Sequence, residues 1–231
     1  MPPTQRAPVQ NPSTLSTAGV RNTLGLPVPR KRRLPLPTVV ELLWATVALM
    51  LTIGGTLCRL ALPDRLPQTV VLDSWPPLVQ WVWEPGYSFS MQVAAVLLGG
   101  CIGGPVAGGL AQVAYLAIGL AGFPVFTDGG GLTYLTHPQA GYLIAFVPAA
   151  ICTGYLAFRC RVGLNWLATS CLCGLLIIHA GGLVGLCLRL GWGPELGLAA
   201  VRFSGFPLLG QMIGVLLTVA AGWLIRKLLL S

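Results

Sequence analysis

The chain has 231 residues, 14 Lys and Arg against 6 Asp and Glu for a net charge of +8, and 55% of its residues are hydrophobic. Mean hydropathy is +0.77. Charged residues make up 9%, against about 25% in soluble domains, so a soluble enzyme, a disordered chain and a collagen-like chain are excluded, and an all-α polytopic membrane protein is expected.

Residues 1–37 contain eight prolines and end near Arg30-Lys31-Arg32-Arg33. They read as a flexible, basic cytoplasmic tail that anchors topology and touches anionic membrane lipid, with no nucleic-acid role. The transmembrane domain is expected over 38–231. A spanning helix needs about 20 apolar residues, and no charge occurs between Glu41 and Arg59, Glu84 and Asp128, Asp128 and Arg159, Arg161 and Arg189, or Arg202 and Arg226. The second of these runs has room for two helices and is broken by Gly103-Gly104-Pro105, a hairpin signal. Six helices follow: 38–60, 88–104, 106–122, 140–159, 165–189 and 205–228.

With the N-terminus inside, ten basic residues fall on the inner side and four (Arg59, Arg65, Arg189, Arg202) on the outer side. This is the positive-inside pattern, and it places both termini in the cytoplasm. The outer loop 61–87 carries Trp75, Trp81, Trp83 and Tyr87, expected to anchor at the membrane interface.

The loop between the third and fourth helices concentrates polar and flexible residues. Thr127, Asp128, Gly129, Gly130, Gly131 and Tyr134 read as a lid over a solute, the glycines letting backbone approach it closely. His137 before Pro138 closes the loop. Irregular backbone at membrane depth needs protein or an aqueous cavity to satisfy it. Tyr142, Gln92 and Gln211 are candidate wall groups, though Gln92 and Gln211 read equally well as glue between helices. His179, alone in an apolar run, reads as a functional group or as a neutral histidine bonded to a neighbouring helix.

No zinc-type spacing, HExxH or P-loop occurs, so no metal and no cofactor is expected. The seven cysteines read as small apolar packers. Arg202-Phe203-Ser204-Gly205 is a poor match to the Gly-x-Ser-Gly of an intramembrane serine protease. On the first helix Ala45, Ala48, Thr52 and Gly55 make a flat stripe that either packs within the chain or docks another membrane protein.

Gly119-Leu-Ala-Gly-Phe-Pro-Val-Phe, the glycine run and His137-Pro-Gln-Ala-Gly-Tyr-Leu together resemble the BioY family of biotin transporters, the substrate-binding components of energy-coupling-factor (ECF) uptake systems. Tyr87-Ser-Phe-Ser-Met-Gln92, Gly104-Pro105 and Gln112-x-x-Tyr115 add to the likeness, which covers roughly 85–225. The resemblance implies a six-helix bundle of the ECF S-component type in the bacterial inner membrane, and no enzyme activity. It implies biotin held under the loop after the third helix, with a coupling subunit and two ATPase subunits as partners. It also implies that Ala45, Ala48, Thr52 and Gly55 dock the coupling subunit. The family's sixth helix begins Gly-Asp-x-x-Lys, the Asp accepting ureido N–H bonds and the Lys pairing with the valerate carboxylate. Here those positions are Gln211 and Gly214, and Asp128 stands as the replacement acceptor. The same architecture serving another vitamin or a biotin precursor is the second reading. A serine hydrolase built on Ser204 is the third.

Overall fold

The computed structural model describes residues 36–61, 64–71, 78–84, 88–160 and 162–230. The expected tail lies outside these up to residue 35, as do Trp75 and Tyr87. Helix α1, Val39–Leu57, starts at a capping box in which Glu41 N donates to Thr38 Oγ1 and Thr38 N donates to Glu41 Oε2. These bonds satisfy two groups that a helix start otherwise leaves open.

Between α1 and the next helix the predicted loop contains four strands: β1 Arg59–Ala61, β2 Asp64–Val71, β3 Leu78–Glu84 and β4 Ser88–Ser90. They pair antiparallel, β1 with β4 and β2 with β3. This corrects the first two helix boundaries. The first helix stops at Leu57 and the second starts at Gln92 because 59–61 and 88–90 pair with each other. Met91 N donates to Cys58 O and Ser90 Oγ to Gly55 O, so the two helix ends are tied.

Element α2, Gln92–Leu120, is a helical hairpin. Gly104 has φ 80 and ψ −177, a conformation that costs little only without a Cβ, and Pro105 follows without an N–H to donate. Gln92 Nε2 lies 2.7 Å from Tyr115 Oη, a contact impossible along a straight helix, where 23 residues span about 35 Å. The arms, 92–103 and 105–120, are about 18 and 24 Å long. Among the described residues, five helical segments are long and apolar enough to cross a membrane, the hairpin being one. These five replace the expected six separate full-length spans, because each arm of the hairpin is shorter than a usual span.

Helices α3 (Ala140–Arg159) and α4 (Leu164–Leu190) follow their predicted ranges closely. The predicted outer loop after α4 is instead helical. Helix α5, Pro194–Ala200, runs through a π turn, Val201–Gly205, into α6, Phe206–Leu230. The hairpin packs against α1, α3 and α6, and α4 against α3, α5 and α6. The core holds Leu97, Tyr115, Phe146, Leu167, Ile178 and Leu186. Cys101 and Cys171 are buried within it with sulfurs 3.5 Å apart, whereas Cys58 and Cys160 are exposed.

Candidate functional site

The loop from 121 to 139 is folded on itself. Phe126 and Gly129 exchange backbone bonds, N to O, at 3.0 and 3.3 Å, with Thr127 and Asp128 at the tip between them. Gly129 and Gly131 have φ 114 and 100, and a Cβ on Gly130 would lie 2.1 Å from Phe123 O. Gly131 N donates to Gly119 O at 2.7 Å, and Tyr134 N to Gly131 O at 3.0 Å. All three glycines are thus required by the loop's own turn. The N–H groups of Gly129 and Gly131 are both bonded within the loop and its flanking helix end.

An aromatic row fixes the loop to the bundle. Tyr115, Phe126, Tyr134 and His137 follow one another at centroid separations of 5.3, 4.7 and 5.2 Å. Tyr134 is buried and donates its hydroxyl to Gln139 Oε1 at 3.3 Å. Its burial, with the Asp128 carboxylate nearby, holds the phenol well above its ordinary value. Asp128 itself is half-exposed and sits 3.8 Å from His137 Nε2.

Beneath the loop, a polar spine joins α1 to both arms of the hairpin. Tyr115 Oη donates to Val125 O at 2.7 Å, accepts from Gln92 Nε2 at 2.7 Å and lies 3.1 Å from Thr56 Oγ1. One turn inward, Gln112 Nε2 donates to Thr52 Oγ1 at 3.0 Å. Gln92 therefore anchors the hairpin. The stripe of Ala45, Ala48, Thr52 and Gly55 is buried. A Cβ on Gly99 would come within 2.8 Å of Ala48 Cβ, and one on Gly55 within 3.0 Å of Ala95 Cβ. Small residues there let the hairpin approach, and the chain's own second helix covers the stripe.

A second polar group lies among α3, α4, the π turn and α6. Tyr142 Oη is 2.7 Å from Ser204 Oγ, which is 3.0 Å from His179 Nδ1. His179 Nε2 is 2.7 Å from Gln211 Oε1. The Tyr142 ring stands edge-on to His179 at 6.3 Å. Tyr142 and Gln211 were expected in the site, and His179 and Ser204 complete their network. The π turn, frequent at functional sites, carries Ser204 to this position. Ser204 and His179 have the spacing of a nucleophile and its base. The third member, however, is a neutral carboxamide, which cannot stabilise an imidazolium as the carboxylate of a hydrolase triad does.

The BioY family sequence pattern matches residues 77–230. The chain is 41% identical over 97 residues to a probable biotin transporter BioY of Lysinibacillus sphaericus, covering 42% of this chain and 50% of that protein. It is 36% identical over 107 residues to the biotin transporter BioY of Rhodobacter capsulatus, covering 45% and 56%. An uncharacterized 21.2 kDa protein of Cyanophora paradoxa is 32% identical over 140 residues, 61% of this chain and 74% of that one. The chain thus spans about half the length of the two BioY relatives. A solved S-component for biotin from an ECF-type ABC transporter has the same fold, with a TM-score of 0.60 at 20% identity over 82% of this chain and 92% of that one. A pattern that takes in the hairpin, the glycine loop, Tyr142, His179 and Gln211 together, on this fold, settles the kinship: the chain is a membrane protein of the BioY family.

Proposed function

We propose that this protein is the solute-binding membrane component of a biotin uptake system. It takes biotin from outside between the 121–139 loop and the Tyr142–Ser204–His179–Gln211 cluster, and passes it inward with a coupling subunit and two ATPase subunits. The observation that carries this reading is the convergence of four hydrogen-bonded polar side chains inside an apolar bundle. Polar side chains inside a membrane bundle are costly and mark sites of function, and the family membership supports biotin as the solute. Binding is non-covalent. Tyr142, Ser204 and Gln211 supply polar contacts, and Thr127 and Gly130 lie on the part of the loop that closes over the solute.

Residence in a bacterial inner membrane with both termini cytoplasmic is part of the same proposal, supported by the sequence tally of ten basic residues in the segments expected inside against four in those expected outside. The test is equilibrium binding of labelled biotin to the purified protein in nanodiscs. Saturable binding in the micromolar range or tighter is expected, and none up to millimolar biotin overturns the proposal. The Gln211 and Gly214 positions, which lack the family's acid and lysine, make a thermal-shift screen over water-soluble vitamins the companion measurement. A shift with another vitamin and none with biotin would reassign the solute.

A further inference from the structure

We propose that the chain Tyr142–Ser204–His179–Gln211 fixes the Gln211 carboxamide with its oxygen on His179 and its NH2 group left for the solute. The site then takes a hydrogen-bond acceptor, a carbonyl or carboxylate oxygen, and His179 is its positioning residue. This deepens the carrier reading and rests on it for the claim that Gln211 meets the solute.

The direction of the chain follows from what each group can donate. A neutral imidazole donates from one nitrogen and accepts at the other. Gln211 Oε1 can only accept, so at 2.7 Å from His179 Nε2 it requires the proton on that nitrogen. Nδ1 is then bare and accepts the Ser204 hydroxyl at 3.0 Å. Ser204 Oγ in turn accepts the Tyr142 phenol at 2.7 Å. The phenol, hydroxyl and imidazole protons are each used once, and only the Gln211 NH2 protons are left over. The reverse order would run from a flipped Gln211 amide through His179 Nδ1–H to Ser204 and on to Tyr142 Oη. It would leave the phenolic proton, the most acidic O–H of the group, without an acceptor in the chain, and an unmade bond at a buried donor is costly.

The four side chains are also held in place from outside the chain. A Cβ on Gly182 would fall 2.1 Å from the Tyr142 ring, so that ring lies directly on the α4 backbone. His179 stands edge-on to it, and Ser204 belongs to the π turn that leads into α6. The polarity is opposite to that of a carboxylate at the same position, which would accept N–H groups. For biotin, the oxygen of the ureido carbonyl or of the carboxylate, and not the ureido N–H, belongs at Gln211.

The experiment has two arms on the full-length protein in nanodiscs. In the first, ring-15N-labelled histidine is read by NMR. The chain has only two histidines, and His137→Asn leaves the His179 signal alone. Protonated Nε2 with bare Nδ1 is expected, and the Nδ1–H tautomer overturns the proposal. In the second, labelled biotin binding is compared between the wild type and Gln211→Glu, which keeps the shape and the histidine partner but removes both donors. A loss of about tenfold or more is expected, and binding as tight as or tighter than wild type overturns the proposal. Absence of biotin binding in the wild-type protein itself counts against the carrier reading, whereas the tautomer is decided without any solute.

Discussion

Replacing Tyr115 by Phe removes one oxygen from the junction of α1, the hairpin and the 121–139 loop. Tyr115 is fully buried, and its ring contacts survive the change, so the effect isolates the hydroxyl. Two groups lose their partner: Val125 O and Gln92 Nε2, each 2.7 Å from Tyr115 Oη. Thr56 Oγ1 does not, because it still donates to Thr52 O at 2.9 Å. An orphaned buried group costs about 1–3 kcal/mol. Gln92 is almost fully buried, whereas Val125 is half-buried and regains part of its bond from water. Gln92 and Tyr115 both belong to the hairpin, so their lost bond weakens the hairpin whether the loop is open or closed. The closed loop itself loses only the Val125 bond and should be destabilised by about 1–2 kcal/mol, roughly 5- to 30-fold in its opening equilibrium. Hydrogen–deuterium exchange in nanodiscs reads this directly at Gly129 and Gly131, whose amides are bonded within the closed loop. Exchange there should accelerate by that factor, while the middle of α4 should be unaffected. Unchanged exchange at both glycines would refute the idea that Tyr115 latches the loop.

Gly182→Ala should displace the Tyr142 ring, because the new methyl would sit 2.1 Å from it. A thermal melt in detergent should show a loss of about 1–3 kcal/mol, and the same substitution should cost little further in a Tyr142→Ala background, where the ring it meets is gone. Asp128→Ala should change biotin affinity by less than about threefold, since an exposed pair contributes only about 0–1 kcal/mol and the carboxylate faces His137. A tenfold loss in the same binding assay would return Asp128 to the site. Tyr134 ionises above the usual 10.0, so the folded loop favours the neutral phenol. Its contribution is complete below about pH 10 and is lost as pH rises further. Spectrophotometric titration of the wild type against Tyr134→Phe should remove one late-ionising tyrosine, and loss of an ordinary one instead would contradict this.

The helices were legible because a membrane enforces long uncharged runs, and the hairpin because Gly104-Pro105 interrupts one of them. The missed helix over 194–200 had a signal that was read the wrong way. Gly191, Gly193 and Pro194 look like a loop, yet Pro at a helix start followed by Glu195 is also a start signal. The stripe on α1 was visible as a stripe, but spacing alone does not say what covers it. The answer depended on Gly99 and Ala95 lying opposite. The glycine run marks a tight turn, whose geometry uses all three glycines. The His179–Gln211 contact joins residues 32 positions apart on two apolar helices. No local pattern encodes such a pairing, and only the rarity of polar residues in these helices points to it.

The replacement of an acid and a lysine by Gln211 and Gly214 has a physical consequence beyond lost affinity. Two opposite charges within a membrane bundle cost several kcal/mol each to desolvate and recover it only with good mutual geometry. A chain of phenol, hydroxyl, imidazole and carboxamide bonded end to end carries no such cost, so this interior can be ordered before the solute arrives. A neutral interior also gives no counter-charge to a carboxylate. Among the described cations on the outer side, Arg189 donates to Leu135 O, and Arg202 lies 5.7 Å over the Phe203 ring, two residues from Ser204. A solute bearing one carboxylate is therefore best accommodated with its uncharged acceptor on Gln211 and its charge toward that rim. Under the proposed function, that pose would set the ureido carbonyl of biotin against the Gln211 NH2 group and extend the valerate chain toward the exposed Arg202.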